Sequence, residues 1–197
     1  QWQPLCGKRV IDHTIAAFQD HPSVDRLIVV LNEADMAHAQ ELTDKGCIIA
    51  TGGVDRAASV RNGLAALGDA DQVLIHDAAR PCVSAEVIDH VIAALQSGPA
   101  AAPGIAVTDA LWVAENGTVA GIQDRTALYA AQTPQGFDVA AIRAAHARYD
   151  GVAADDVEVA RAAGMAVAIT PGSIDNLKIT LWRYRIRMGW SGIRMQT

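Results

Sequence analysis

Three stretches of the chain bring together side chains that can hold and rearrange phosphate groups. In the first, Gly52-Gly53-Val54-Asp55-Arg56-Ala57-Ala58-Ser59, paired glycines let a ligand approach the backbone. The start of the following helix would offer free N–H groups to an anion, and Arg56 adds positive charge. The same spacing also reads as an ordinary strand-to-helix turn with Asp55 near the N-cap. In the second, His76-Asp77-Ala78-Ala79-Arg80-Pro81, a strand ends and presents a carboxylate. Mg²⁺ takes one or two carboxylates and fills its other positions with waters and phosphates, so Asp77 is a candidate metal ligand. Arg80, three residues on, can fork onto a phosphate or pair with Asp77 across the turn. His76 reads as a satisfied interior histidine rather than a ligand. The third is Ser173-Ile174-Asp175-Asn176-Leu177-Lys178-Ile179-Thr180. An extended backbone there points Lys178 away from Leu177 and Ile179, either into a site or into solvent on an edge strand. Basic groups, a carboxylate and a glycine loop on one rim are the equipment for handling a nucleoside triphosphate.

Such a rim needs strands that end at one edge of a sheet. The pattern supplies them. Residues 26–31, 46–50, 72–76 and 100–107 are short apolar or β-branched runs and predict strands. Between them, residues 8–21, 33–43 and 57–67 have helical spacing, and Ser84 is a plausible N-cap for a helix over 86–96. This alternation predicts an α/β fold with a parallel, doubly wound sheet, whose ligands bind beyond the carboxyl ends of the strands. The rhythm breaks at Thr108. Residues 110–122 are strand-like around Asn116-Gly117, a tight-turn signal, and predict a protruding β-arm within about 109–125. Helices are expected at 139–148 and 155–163, and closing strands at 165–169 and 177–180.

Composition limits the alternatives. Hydrophobic residues make up 51% and charged residues 19% of 197, a globular balance, although 38 of the apolar residues are alanine. That length supports one sizeable core. No window approaches a membrane span, and the N-terminus lacks the basic and apolar regions of a signal peptide. Cys6, Cys47 and Cys82 are odd in number and widely spaced, which favours a reducing, cytoplasmic setting over a disulfide framework or a zinc site. A net charge of −6 argues against coating nucleic acid.

The motifs occur in a fixed order: Gly52-Gly53-x-x-Arg56-x-x-Ser59-Val60-x-Asn62-Gly63-Leu64, Val73 through Pro81, Ala131-Gln132-Thr133-Pro134-Gln135-x-Phe137, and Asp175-Asn176-Leu177-Lys178-Ile179-Thr180. Together, over roughly residues 1–180, they closely resemble the 2-C-methyl-D-erythritol 4-phosphate cytidylyltransferase family of the non-mevalonate isoprenoid pathway. The resemblance implies transfer of CMP from CTP to methylerythritol phosphate, release of pyrophosphate, and a requirement for Mg²⁺. It implies a Rossmann-like, mostly parallel sheet of the nucleotidyltransferase type and a homodimer built by exchanging β-arms. On matching positions, Gly52, Gly53, Arg56, Ser59, Asp77 and Arg80 lie along the nucleotide, with Asp77 on the metal. Lys178 matches a catalytic lysine. Arg125 matches an arm residue that grips methylerythritol phosphate in the neighbouring subunit's site. Thr133 and Asp175 fall beside that substrate. The reaction would be in-line attack of the substrate phosphate on the α-phosphorus of CTP, needing neither a protein nucleophile nor a general base.

The sequence also departs from the family. Its opening Gly-rich loop, Ala-Ala-Gly-x-Gly-x-Arg ending in Pro-Lys-Gln, is not in this sequence, which begins at the position of that Gln. Ala110 and Ala154 replace hydroxyl residues. Residues 181–197 form a divergent basic and aromatic tail, Leu181-Trp182-Arg183-Tyr184-Arg185-Ile186-Arg187-Met188 onward, whose alternation predicts an amphipathic edge strand. Some relatives are fused to a cyclodiphosphate synthase, but no Asp-x-His metal pair follows here. Two rival readings remain: a ribitol-type polyol-phosphate cytidylyltransferase, and a non-catalytic nucleotide-binding dimer.

Overall fold

A computed structural model describes residues 1–180. The expected amphipathic strand in the tail lies outside the described residues. The chain opens with a two-strand clip, β1 (Pro4–Leu5) and β2 (Lys8–Arg9), and enters α1 (Val10–Gln19). Then follow β3 (Ile28–Leu31), a 3₁₀ turn at Glu33–His38 running into α2 (Ala39–Asp44), β4 (Ile48–Thr51), α3 (Arg56–Ala66), β5 (Gln72–Ile75), α4 (Ala85–Leu95) and β6 (Ala100–Ala106). The second half contributes β7 (Leu111–Glu115), β8 (Thr118–Gln123), β9 (Tyr129–Ala131), β10 (Gln135–Asp138), α5 (Val139–Arg148), α6 (Asp156–Ala162) and β11 (Val167–Pro171).

The fold is α/β, as expected, and its pairing is mixed. β3 runs parallel to β4, and β6 parallel to β11. β10 is antiparallel to both β5 and β6, which gives the order β11-β6-β10-β5, with β9 also on β6. β3 and β5 both line a cavity of about 1040 Å³, which reaches Gly52, Arg56, Ser59, Asp77 and Thr133. No strand among the described residues joins β3 to β5.

Apolar faces cement the layers. α4 begins at Ser84, whose hydroxyl accepts from Val87 N, and buries Val87, Ile88, Val91 and Leu95. Each such burial stabilises by roughly 1.5–3 kcal/mol relative to exposure. Phe137 of β10 sits fully buried among Leu64, Ala100, Ile142 and Val159, and so ties α3, α5 and α6 to the sheet.

Two expectations need correction, and one strand lies where none is expected. The helix over 33–43 starts as a 3₁₀ turn because Asn32 accepts from Ala34 N and tightens it. Residues 177–180 form no strand; Ile179 N donates to Ala79 O at 2.8 Å, one backbone bond instead of a ladder. β10, read only as a motif, is a central strand. Its short sequence has little strand propensity, and pairing on both edges decides its conformation. The hairpin β7–β8 turns where expected, with Asn116 and Gly117 at φ 49° and 79°.

Candidate active site

The site begins where β4 and β5 end. After β4, Gly52 N donates to Leu31 O at 2.7 Å, and Gly53 N donates to Ser59 Oγ at 3.0 Å. Ser59 Oγ in turn donates to Asp55 O at 2.8 Å. A Cβ on Gly53 would lie 2.2 Å from the Cβ of Ala58, so close helix packing alone requires glycine there. Asp55 is the N-cap of α3, as one of the two readings of this loop had it: Ala58 N donates to Asp55 Oδ1.

After β5, the chain places His76 and Asp77. His76 packs its ring 4.8 Å from that of Phe18. Its Nε2 lies 3.1 Å from Arg80 O, an acceptor only, so Nε2 carries the proton. Nδ1 then accepts from Thr133 Oγ1 at 2.9 Å, and Thr133 Oγ1 accepts from Asp77 N at 3.1 Å. Burial pushes the His76 pKa down from 6.5 to about 4, so the ring is neutral at pH 7. It pins Asp77 and the Arg80 carbonyl in place, which supports the interior reading of this histidine. The Thr133 hydroxyl is occupied within this network, and Thr133 is buried.

The Asp77 carboxylate meets two cations on one oxygen. Lys178 Nζ lies 3.1 Å from Oδ2 and Arg80 Nε lies 3.4 Å from it. Arg80 is otherwise engaged by carbonyls, with Nη1 donating to Asn176 O at 2.8 Å and Nη2 to Ala131 O at 3.5 Å. Of the two readings of Arg80, the turn-spanning pair is therefore the one present. Lys178 is 46% exposed at the rim. Asp175 is exposed close by, its N–H donating to Ser173 Oγ.

Two buried amides that the sequence reading left without roles hold this loop. Asn176 Nδ2 donates to Thr133 O at 2.8 Å, and Gln132 Nε2 donates to Ser173 O at 2.8 Å. They clamp residues 173–178 against the segment before β10 and so bring Lys178 to Asp77. Both stand in the motifs given above, but no spacing signal marks either as a clamp.

Arg56 pairs with a different carboxylate. Its Nη1 donates to Asp156 Oδ1 at 3.3 Å, and Nη2 donates to Oδ2. Burial works against ionisation of Asp156, but hydrogen bonds from His146 and Arg56 outweigh it and hold the carboxyl below its ordinary range. Arg56 loses solvation too, yet its bond to Asp156 leaves its pKa raised. Arg125 lies exposed after β8, and its side chain joins none of these contacts among the described residues.

The fit to Mg²⁺ rests on one carboxylate. Among the described residues no cluster of three or more His, Cys, Asp or Glu stands ready for a metal. Asp77 Oδ1 has no hydrogen-bond partner there, whereas Oδ2 is engaged by the two cations. One free carboxylate oxygen suits an ion held chiefly by phosphates and water.

Known proteins resemble this chain over most of its length. The family model described as 2-C-methyl-D-erythritol 4-phosphate cytidylyltransferase matches residues 1–183. A Ruegeria sp. protein named "Bifunctional enzyme IspD/IspF" is 57% identical over 184 residues, covering 91% of this chain and 48% of that protein. The chain thus spans about half the length of such bifunctional relatives. A Cereibacter sphaeroides protein named 2-C-methyl-D-erythritol 4-phosphate cytidylyltransferase is 52% identical over 185 residues, 91% of this chain and 82% of that one. The crystal structure of a Thermus thermophilus protein of the same name superposes with a TM-score of 0.86 at 32% identity, covering 95% of this chain and 90% of the other.

Proposed function

We propose that this chain, which belongs to the 2-C-methyl-D-erythritol 4-phosphate cytidylyltransferase family, transfers CMP from CTP to 2-C-methyl-D-erythritol 4-phosphate and releases pyrophosphate. The observation that carries the reading is the contact of Lys178 Nζ with Asp77 Oδ2 at the carboxyl end of β5. It supports a role in which this compact, exposed cation exchanges the carboxylate for an α-phosphate. Two anions must meet for the reaction to occur, so the first task is charge neutralisation. Lys178 swings from Asp77 to the α-phosphate, and Asp77 Oδ1 is the group that would hold Mg²⁺. When bound, that ion supplies charge neutralisation at the phosphates. Arg80, fixed by Asn176 and Ala131, keeps Asp77 oriented. The nucleophile is an already ionised phosphate oxygen, which agrees with His76 being neutral and structural.

The β7–β8 hairpin supports arm exchange in a homodimer. Trp112 and Ile122 remain 69% and 77% exposed on it, apolar area that a partner subunit would cover. Arg125 at its base would then serve the partner's site, which accounts for its isolation within one chain. No described helix is long and apolar enough to cross a membrane, and a cytoplasmic location fits the cysteine usage.

The test measures pyrophosphate release from CTP by the full-length protein, with methylerythritol phosphate or ribitol phosphate as acceptor, for wild type and Asp77→Asn. The expected result is turnover with methylerythritol phosphate that Asp77→Asn abolishes, or shifts to a much higher Mg²⁺ requirement. Preference for ribitol phosphate, or wild-type turnover by Asp77→Asn at low millimolar Mg²⁺, overturns the reading.

A further inference from the structure

A second charged cluster lies behind the glycine loop. Asp156, in the first turn of α6, is fully buried. Its own N–H and that of Val157 donate to Gln135 Oε1 at 3.0 and 3.2 Å, which fixes the backbone. Its Oδ1 accepts from His146 Nε2 at 3.0 Å, and both carboxylate oxygens accept from Arg56. A carboxylate so enclosed cannot reach a ligand itself. His146 is buried as well, whereas Arg56 is 40% exposed and lines the cavity with Gly52, Ser59 and Asp77.

The donor count adds a second constraint. A guanidinium has five N–H groups. Two are spent on Asp156, and the other three have no partner among the described residues. The paired carboxylate also compensates the charge of Arg56, so little net charge is left to offer a phosphate.

We propose that Asp156 is a positioning residue: it holds Arg56 at the cavity mouth so that the free N–H groups recognise an uncharged oxygen of the nucleoside rather than a phosphate. The proposal rests on the reading that the site binds CTP. It explains why a carboxylate is placed beside a cation in a site for a polyanion. It also distinguishes Arg56 from Lys178, whose partner Asp77 is itself accessible.

Calorimetric titration of the full-length protein with CTP, CMP and pyrophosphate tests this. The variants are Asp156→Asn, Arg56→Ala, their combination, and Arg56→Lys. Asp156→Asn is expected to weaken CTP and CMP by about tenfold to a hundredfold, the scale of one hydrogen bond to a charged group. Pyrophosphate affinity should stay unchanged. The double variant should bind no worse than Arg56→Ala, because Asp156 acts through Arg56. If Asp156→Asn fails to fold, Arg56→Lys carries the test: lysine keeps the charge but cannot form the two-point contact, and CMP binding should fall as far as in Arg56→Ala. Unchanged CMP affinity in folded Asp156→Asn or in Arg56→Lys, losses that multiply in the double variant, or a loss confined to pyrophosphate overturns the proposal. So does a wild-type protein that binds no CMP. Methylerythritol phosphate takes no part in these titrations, so a protein that binds CMP as expected yet forms no product overturns the activity and leaves the role of Asp156 standing.

Discussion

Acid should loosen this protein through His76 before it protonates the carboxylates. The ring is neutral because burial against Phe18 lowers its pKa from 6.5 to about 4. The unfolded chain therefore binds more protons than the folded one between those two values. The stabilisation is fully present above pH 6.5 and is lost as pH falls towards 4. A shift of that size corresponds to about 3 kcal/mol at roughly 1.4 kcal/mol per pH unit. The ring keeps some contact with solvent where it lines the cavity, which reduces the figure to about 2 kcal/mol. Protonation also has a local consequence. Nδ1 can no longer accept from Thr133, the hydroxyl that receives the Asp77 N–H. The assay is urea unfolding of wild type and His76→Gln at pH 7 and pH 4.5. With a slope of about 2 kcal/mol per M, the wild-type midpoint should fall about 1 M further than that of the variant. Equal losses in the two proteins would refute the reasoning, because the pH-dependent part would then belong to other groups.

Lys178→Ala should cut kcat by about a hundred- to a thousandfold while CTP binding weakens far less, and Lys178→Arg should restore only part of it, as stopped-time kinetics with CTP titration will read. An Arg125→Ala subunit mixed with an Asp77→Asn subunit should regain activity that neither has alone; no recovery after verified subunit exchange counts against arm exchange. Gly136→Ala should lower stability by about 1–3 kcal/mol in thermal or urea unfolding, since its Cβ would come within 2.6 Å of Val91 Cγ1 and 2.9 Å of Leu95 Cδ1. Asn176→Ala should cost about 1–3 kcal/mol and reduce kcat, because Thr133 O loses a buried donor and the loop bearing Lys178 is released.

The sequence by itself determined the alternation of elements and the addresses of the chemistry. Apolar period marked β3, β4, β5 and β6, Ser84 marked the start of α4, and Asn116-Gly117 marked the hairpin, because local sterics and solvation act on a few neighbouring residues. Residue type at fixed spacing marked Asp77, Arg80 and Lys178 as one rim, and the structure joins them through a single carboxylate oxygen. What local pattern could not decide was which donor each acceptor would meet. Whether Arg80 reaches a phosphate or spans its own turn depends on Asn176, 96 residues away. Whether Arg56 stands free depends on Asp156, 100 residues away. β10 is a strand because two neighbours flank it, and residues 177–180 are not one because only Ala79 does. These choices follow from hydrogen-bond satisfaction in a closed interior, where an unpaired polar group is costly, and that constraint exists only once the chain has folded.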